Sequence, residues 1–130
     1  MNAITDMFLD VTEFHEAFSL PISDAPKFPD QKERNLRSNL LREEFREYLE
    51  AEEENDLVEV ADALADIIYI ACGTALSYGI PLNAVFKEVH RSNMAKLVDG
   101  KVLRRDDGKV LKPAGWSPPD IASIINEHTP

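Results

Sequence analysis

Two acidic stretches hold the residues of this chain whose types and spacing could do chemistry. The first is Glu43-Glu44-x-x-Glu47, within a segment of helical periodicity. At about 100° per residue, Glu44 falls between Leu40 and Leu41 on the apolar side of that helix, and Glu47 lies beside it. Glu43 lies at the margin of the same sector. These are not positions where a surface glutamate is expected.

The second stretch is more apolar than the first. Residues 61–76 are apolar nearly all round a helix and are interrupted by Asp62 and Asp66, which share one face. Glu59 lies one turn earlier. A helix that is apolar on every side is expected to be buried on every side. Carboxylates there would cost several kcal/mol or take up protons, unless a cation lies between them.

The two stretches therefore predict a metal site between two facing helices. Its donors are carboxylates without Cys or His, a set that suits Mg²⁺ or Mn²⁺ far better than zinc. The predicted metal ligands are Glu44, Glu47, Asp62 and Asp66, with Glu59 as an alternative or supporting ligand.

A structural alternative needs no metal. The three glutamates would then form a solvated face, and Asp62 and Asp66 would pair with arginines such as Arg37 or Arg91.

The composition is that of one globular domain. The 130 residues are 44% hydrophobic and carry a formal net charge of −10. This charge excludes nucleic-acid binding through a broad basic surface, although bound cations would allow a phosphorylated small molecule to bind. Cys72 is the single cysteine, so no disulfide can form within the chain, and its apolar surroundings predict a buried thiol.

No targeting or membrane segment is evident. Asp6, Asp10 and Glu13 interrupt any signal-like apolar run, and the apolar stretch at 67–76 is too short to span a bilayer. We therefore expect a cytoplasmic protein without a membrane partner.

Periodicity and capping residues predict four helices, at about 4–19, 31–53, 56–78 and 82–97. Asn2 or Thr5 could cap the first helix, Asp30 the second, and Gly79 would end the third. Two Asp-Gly turns at 99–100 and 107–108 predict a small hairpin, and a short helix follows at about 119–127. The expected fold is a single all-α domain over 1–130, with a four-helix core at about 4–97 and a C-terminal β-hairpin and tail at about 98–130.

These motifs together resemble the MazG-like, phosphoribosyl-ATP pyrophosphohydrolase-like superfamily of all-α nucleoside triphosphate pyrophosphohydrolases. The resemblance is carried by Glu43-Glu44-x-x-Glu47, by the acidic apolar helix, and by His90-Arg91-Ser92-Asn93-Met94-Ala95-Lys96. The Asp-Gly-Lys turns and Lys112-Pro113-x-Gly115-Trp116 add to it. The family pattern is EExxE, a spacer and ExxD, whose acids hold Mg²⁺.

The chain departs from this pattern at one position. The apolar residues after the family aspartate align best with Ile67-Ile68-Tyr69, which places that aspartate at Asp66 and the family glutamate at Ala63. Alanine cannot bind a metal. Asp62, one residue earlier and on the face of Asp66, could substitute, whereas Glu59 with Asp62 satisfies the literal pattern.

The resemblance implies Mg²⁺-dependent hydrolysis of a nucleoside triphosphate to a monophosphate and pyrophosphate, in a nucleotide-pool house-cleaning role. Glu43 or Glu47 would accept the proton of the attacking water. The implied substrate contacts are Arg91 and Lys96 to phosphate, Asn93 to phosphate or sugar, His90 to the base, and Trp116 stacked on the base. A polar helix face, a packing histidine and a tryptophan closing the core edge are the structural alternatives.

Two other functions remain open at this point. One is phosphoribosyl-ATP hydrolysis in histidine biosynthesis, against which the extra hairpin and tail argue. The other is a non-enzymatic helical module whose acidic face binds a basic partner. The resemblance also implies a homodimer or homotetramer with active sites at or near subunit interfaces.

Overall fold

The fold is all-α with a small hairpin, as the sequence predicts. A computed structural model describes residues 3–130, with side chains from Asp6 onward, so the suggested cap at Asn2 lies outside the described residues. Thr5, the other suggested cap, lies inside the first helix, which already includes Ala3. The elements are α1 Ala3–Ala17, α2 Gln31–Glu53, α3 Leu57–Tyr78, α4 Leu82–Met94, β1 Leu97–Val98, β2 Lys101–Val102 and α5 Ile121–Glu127.

Local signals set the helix ends. Asp30 caps α2 by accepting a hydrogen bond from the Glu33 backbone N–H at 2.9 Å, and Asp56 caps α3 by accepting one from Glu59 N–H at 3.1 Å. Gly79 ends α3 with φ 69°, and a Cβ there would lie 2.2 Å from the backbone oxygen of Ala25. Glycine is required at this position by both its φ and the space available.

Two polar contacts set the register of α2 against α3. The Ser77 hydroxyl donates to the Glu33 carboxylate at 2.5 Å. Arg37 donates to the Thr74 hydroxyl at 3.1 Å and to the Ile70 carbonyl at 3.2 Å. The Glu33 side chain therefore bonds across to α3. This antiparallel register brings the later turns of α2 opposite the earlier turns of α3.

The apolar core is small and lies between α1 and α3. Val11, Cys72 and Leu76 are buried, and Phe8 and Leu82 pack against them. Cys72 is the predicted buried thiol, and burial raises its pKa. Helix α4 packs against α1, and α5 packs against α4.

Helix α3 is not buried on every side within one chain, contrary to the sequence expectation. Leu57 is 81% exposed, Val58 76% and Leu64 47%. The helix is also long and apolar enough to cross a membrane by length and composition, although the stretch at 67–76 alone is too short. Core helices of soluble proteins meet the same criterion. The apolar character of α3 therefore does not establish that its acidic side chains are buried. The residues around each acid decide this.

The C-terminal region differs in detail from the prediction. Helix α4 ends at Met94, three residues before the predicted end, because the chain enters β1. Asp99 and Gly100 have φ of 51° and 73° and connect β1 to its antiparallel partner β2, as a two-residue hairpin turn requires. The second Asp-Gly pair forms a separate turn that is closed by a bridge between Arg104 and Val110.

Candidate metal centre

Three of the predicted ligands meet between α2 and α3. Glu44 and Glu47 lie on α2, and Asp66 lies opposite them on α3. One carboxylate oxygen from each lies within 4.8 Å of the other two. Residues three apart are neighbours on a helix face, so Glu44 and Glu47 lie together on α2. The antiparallel register of α2 on α3 brings Asp66 opposite them.

Glu44 places one carboxylate oxygen out of contact with solvent. Its side chain is half-buried, and its Oε2 atom is closed to solvent without a hydrogen-bond partner among the described residues. Its pKa is raised to about 7 by burial first, then by a side-chain hydrogen bond with Glu47, and then by the negative charges of Asp66, Glu47 and Glu43. Without a cation, this group is therefore only partly ionised near neutral pH.

The arginines do not neutralise the cluster. Arg37 is buried and bonds to Thr74 and Ile70 on the later turns of α3. Arg91 pairs with Glu88 at 2.8 Å. Among the described side chains, the recorded ion pairs include neither Asp62 nor Asp66. The structural alternative of arginine-paired aspartates is therefore not formed.

The donor set fits a hard divalent ion. Mg²⁺ and Ca²⁺ take oxygen ligands at about 2.0–2.6 Å, so the oxygens around one ion lie within about 5 Å of one another. The 4.8 Å limit of this cluster meets that condition. The Oε2 atom of Glu44, which has no hydrogen-bond partner within the described part of the chain, would be available as a ligand.

Asp62 and Glu59 lie in a neighbouring acidic cleft. This cleft has a volume of about 390 Å³, and Glu47 lines it as well, so it adjoins the cluster. Its acidic lining residues are Glu47, Glu50, Glu54, Glu59 and Asp62. Ala63, where the family pattern has glutamate, lies buried in its wall. Of the four predicted ligands, three form the cluster and Asp62 lies beside it. Glu43, a predicted proton acceptor, is exposed and directly precedes Glu44.

The predicted substrate-binding residues lie elsewhere in the chain. Helix α4, which carries His90, Arg91 and Asn93, packs against α1 and α5. His90 is exposed, and Asn93 accepts a hydrogen bond from Lys96 at 3.0 Å. Among the described side chains, the hydrogen bonds of Arg91 and Asn93 go to neighbours on α4 and to Lys96, not to the acidic cluster. Their assignment to the substrate stays a prediction.

Trp116 is held by α4. Its indole N–H donates to the Ser92 backbone carbonyl at 2.6 Å, and the Lys96 ammonium lies over its ring. Sequence reasoning missed a second lysine: the Lys112 ammonium lies 4.9 Å from the ring centroid. Its place in the Lys-Pro-x-Gly-Trp segment, four residues before the tryptophan, was the available signal.

Comparison with known proteins gives two findings. The model of the family described as phosphoribosyl-ATP pyrophosphohydrolase matches residues 11–93. An uncharacterized protein of Acanthamoeba polyphaga mimivirus is 35% identical over 77 residues, which is 56% of this chain and 31% of that protein. The chain thus spans about a third of that relative's length. The family match includes the acidic cluster and its cleft but ends before Lys96, the hairpin and the tail.

Proposed function

Because the chain belongs to the phosphoribosyl-ATP pyrophosphohydrolase family, we propose that it is a Mg²⁺-dependent enzyme that hydrolyses nucleoside triphosphates to monophosphates and pyrophosphate. Family membership indicates a pyrophosphohydrolase-type enzyme. The metal, the substrate and the bond cleaved are our proposal. The observation that carries it is the convergence of Glu44, Glu47 and Asp66, with one oxygen of Glu44 buried and unpartnered.

The chemistry assigns a task to each acid. Glu44, Glu47 and Asp66 would hold the ion, which when bound neutralises phosphate oxygens and makes water more acidic. Glu43 or Glu47 accepts the proton of the water that attacks the α-phosphorus. Glu43 is exposed at the edge of the cluster, where incoming water can reach it. The bond between the α-phosphorus and the oxygen that bridges to the β-phosphate breaks, and pyrophosphate leaves with the electron pair.

The substrate carries more negative charge than the cluster can offset. Phosphoryl transfer requires mainly positioning and charge neutralisation, so cations must reach the leaving pyrophosphate. Arg91 and Lys96 are the proposed phosphate contacts, with Asn93 on phosphate or sugar and His90 on the base. Because the described hydrogen bonds and ion pairs of these side chains do not join them to the α2–α3 cluster, we propose that they reach it across a subunit interface.

Exposed apolar surface supports such an assembly. Leu36, Phe45 and Leu49 on α2 are 49–55% exposed, and the first turn of α3 adds Leu57 and Val58. A homodimer or homotetramer that covers these faces would remove the side chains from water. We propose that this assembly acts in the cytoplasm.

Two substrate classes compete. Canonical or altered deoxynucleoside triphosphates would make the protein a house-cleaning enzyme, which is our leading proposal. Phosphoribosyl-ATP is the second candidate, and the description of the matching family favours it. The hairpin and tail outside the matched region argue for the first.

A nucleotide screen tests the proposal. Purified protein is incubated with each dNTP, each NTP and phosphoribosyl-ATP, with and without Mg²⁺, and pyrophosphate release is measured. We expect Mg²⁺-dependent release from at least one of them, and loss of release in Asp66→Asn. Absence of release from all of them, together with no Mg²⁺-dependent thermal stabilisation, would favour the non-enzymatic acidic module.

A further inference from the structure

The ammonium groups of two lysines lie close to the ring of the single tryptophan of the chain. The ammonium groups of Lys96 and Lys112 lie 5.6 Å and 4.9 Å from the centroid of the Trp116 ring. The ring itself is fixed, because its N–H donates to the Ser92 carbonyl of α4 at 2.6 Å. A cation over an aromatic face is attracted by the ring quadrupole, so this one ring offsets part of the repulsion between two like charges.

The ammonium groups of Lys96 and Lys112 form no ion pair with a carboxylate among the described side chains. Residues 96–112 carry six Lys and Arg side chains against three Asp, in a chain whose net charge is −10. Lys96 and Lys112 thus place two positive charges of this basic segment at the ring, where an anion would be stabilised.

We propose that Lys96 and Lys112 form a binding site for a pyrophosphoryl group, with Trp116 as the positioning residue that holds both lysines. Lys112 is a new participant, and it lies outside the family-matched residues 11–93. That the group belongs to a nucleotide, or is the pyrophosphate released from it, rests on the proposed function. Two ammonium groups at one ring suit two linked phosphates, because each phosphate can accept a charge-assisted hydrogen bond.

This assignment changes the role of Trp116. A ring that is tied through its N–H and contacted by two ammonium groups has part of its surface already occupied. Trp116 therefore acts by placing cations, whereas stacking on a base would require a lysine to move away. An alternative is that the lysine stems only cover the apolar surface of the ring. In that case, added polyphosphate would not bind to the lysines and would leave the tryptophan emission unchanged.

The tryptophan is also the reporter for the test. Because the chain has one tryptophan, its fluorescence reports on this ring alone. Pyrophosphate and tripolyphosphate are titrated into the intact protein without Mg²⁺ or nucleotide, and sodium chloride at matched ionic strength is the control. We expect a saturable change in emission with the polyphosphates and no matching change with chloride.

Matched variants make the test specific. Lys112→Gln should weaken polyphosphate binding about tenfold, the scale of one lost charge-assisted contact. Lys109→Gln removes the same charge three residues away and should bind like the wild-type protein. The proposal is overturned if wild-type emission does not respond, if chloride gives the same response, or if the two variants weaken binding equally.

Enzyme kinetics then identify the source of the anion. A raised KM for the nucleotide in Lys112→Gln would place the substrate polyphosphate on this pair, and a change confined to pyrophosphate inhibition would place the product there. The fluorescence titration needs no turnover. A protein that binds pyrophosphate but hydrolyses no nucleotide would contradict the proposed function while leaving this site supported.

Discussion

Carboxylates repel one another in the α2–α3 cluster but are paired with hydrogen-bond donors where α4 contacts the tail. In the cluster, three carboxylates face one another, and one oxygen is buried without a partner among the residues that the structure describes. At α4, the Glu88 carboxylate accepts hydrogen bonds from Arg91 at 2.8 Å and from the Asp120 backbone N–H at 2.6 Å. The first arrangement weakens the metal-free fold, whereas the second fastens the tail to the core.

Two glutamates show the contrast directly. The pKa of Glu88 is lowered to about 2, first by the hydrogen bonds from Arg91 and then by the Asp120 N–H. The pKa of Glu44 is raised to about 7, first by burial and then by the neighbouring acids. A glutamate thus anchors the tail in one region and is a poorly solvated acid, and a proposed metal ligand, in the other. Arrangements that oppose stability are concentrated at functional sites.

The largest expected effect separates activity from stability at Glu44. Glu44→Gln removes a metal ligand and should lower kcat/KM at least about 100-fold, since ions at such sites contribute several kcal/mol to the transition state. Without Mg²⁺ its melting temperature should equal or exceed that of the wild-type protein, because a repelling charge is gone. Glu53→Gln, at an exposed α2 position, is the matched control for both measurements. A marked loss of metal-free stability in Glu44→Gln would show that the cluster is structural.

Mg²⁺ stabilisation should depend on pH. The folded-state pKa of Glu44 lies above its unfolded value of 4.5, so its contribution to metal-free stability is complete below pH 4.5 and is lost as pH rises through about 7. Mg²⁺ needs the deprotonated ligand, so its stabilising effect should grow between pH 5.5 and pH 8. At a hundredfold excess over Kd the gain approaches about 2.7 kcal/mol. Thermal melts with and without Mg²⁺ measure this, and a gain that is independent of pH would contradict it.

Asp62 should matter less than Asp66. Asp66 belongs to the cluster, while Asp62 lines the adjoining cleft. Asp62→Asn should lower kcat/KM by about tenfold, the lower end for residues that support metal ligands. Asp66→Asn should match Glu44→Gln. Equal losses in the two aspartate variants would extend the metal centre into the cleft.

The smallest expected effect lies at the tail. Trp116→Phe keeps an aromatic ring but removes the hydrogen bond to Ser92, which should lower the free energy of unfolding by about 1 kcal/mol. Chemical denaturation measures the change. Activity at saturating nucleotide should remain well above that of Glu44→Gln. A loss of activity as large as that of Glu44→Gln would remove the distinction between the two regions.

Local chemistry let the sequence determine most of the fold. Caps at Asp30 and Asp56 and the stop at Gly79 act within a few residues, so α2 and α3 begin and end as predicted, within one residue. The position of Glu44 in an apolar sector also follows from helical periodicity alone. For the same reason the spacing of the acids was enough to indicate Glu44, Glu47 and Asp66 as candidate ligands.

Only the tertiary structure decided which candidates meet. The register of α2 on α3 depends on contacts such as Ser77 with Glu33, which join residues 44 positions apart. That register brings Asp66 to the two glutamates and leaves Asp62 in the cleft, although both aspartates share a helix face. The pairing of Lys96 with Trp116 likewise joins the chain just after α4 to the tail, across 20 positions of the sequence. Spacing identifies the residues that could bind a metal or an anion, and packing between distant segments selects those that lie together.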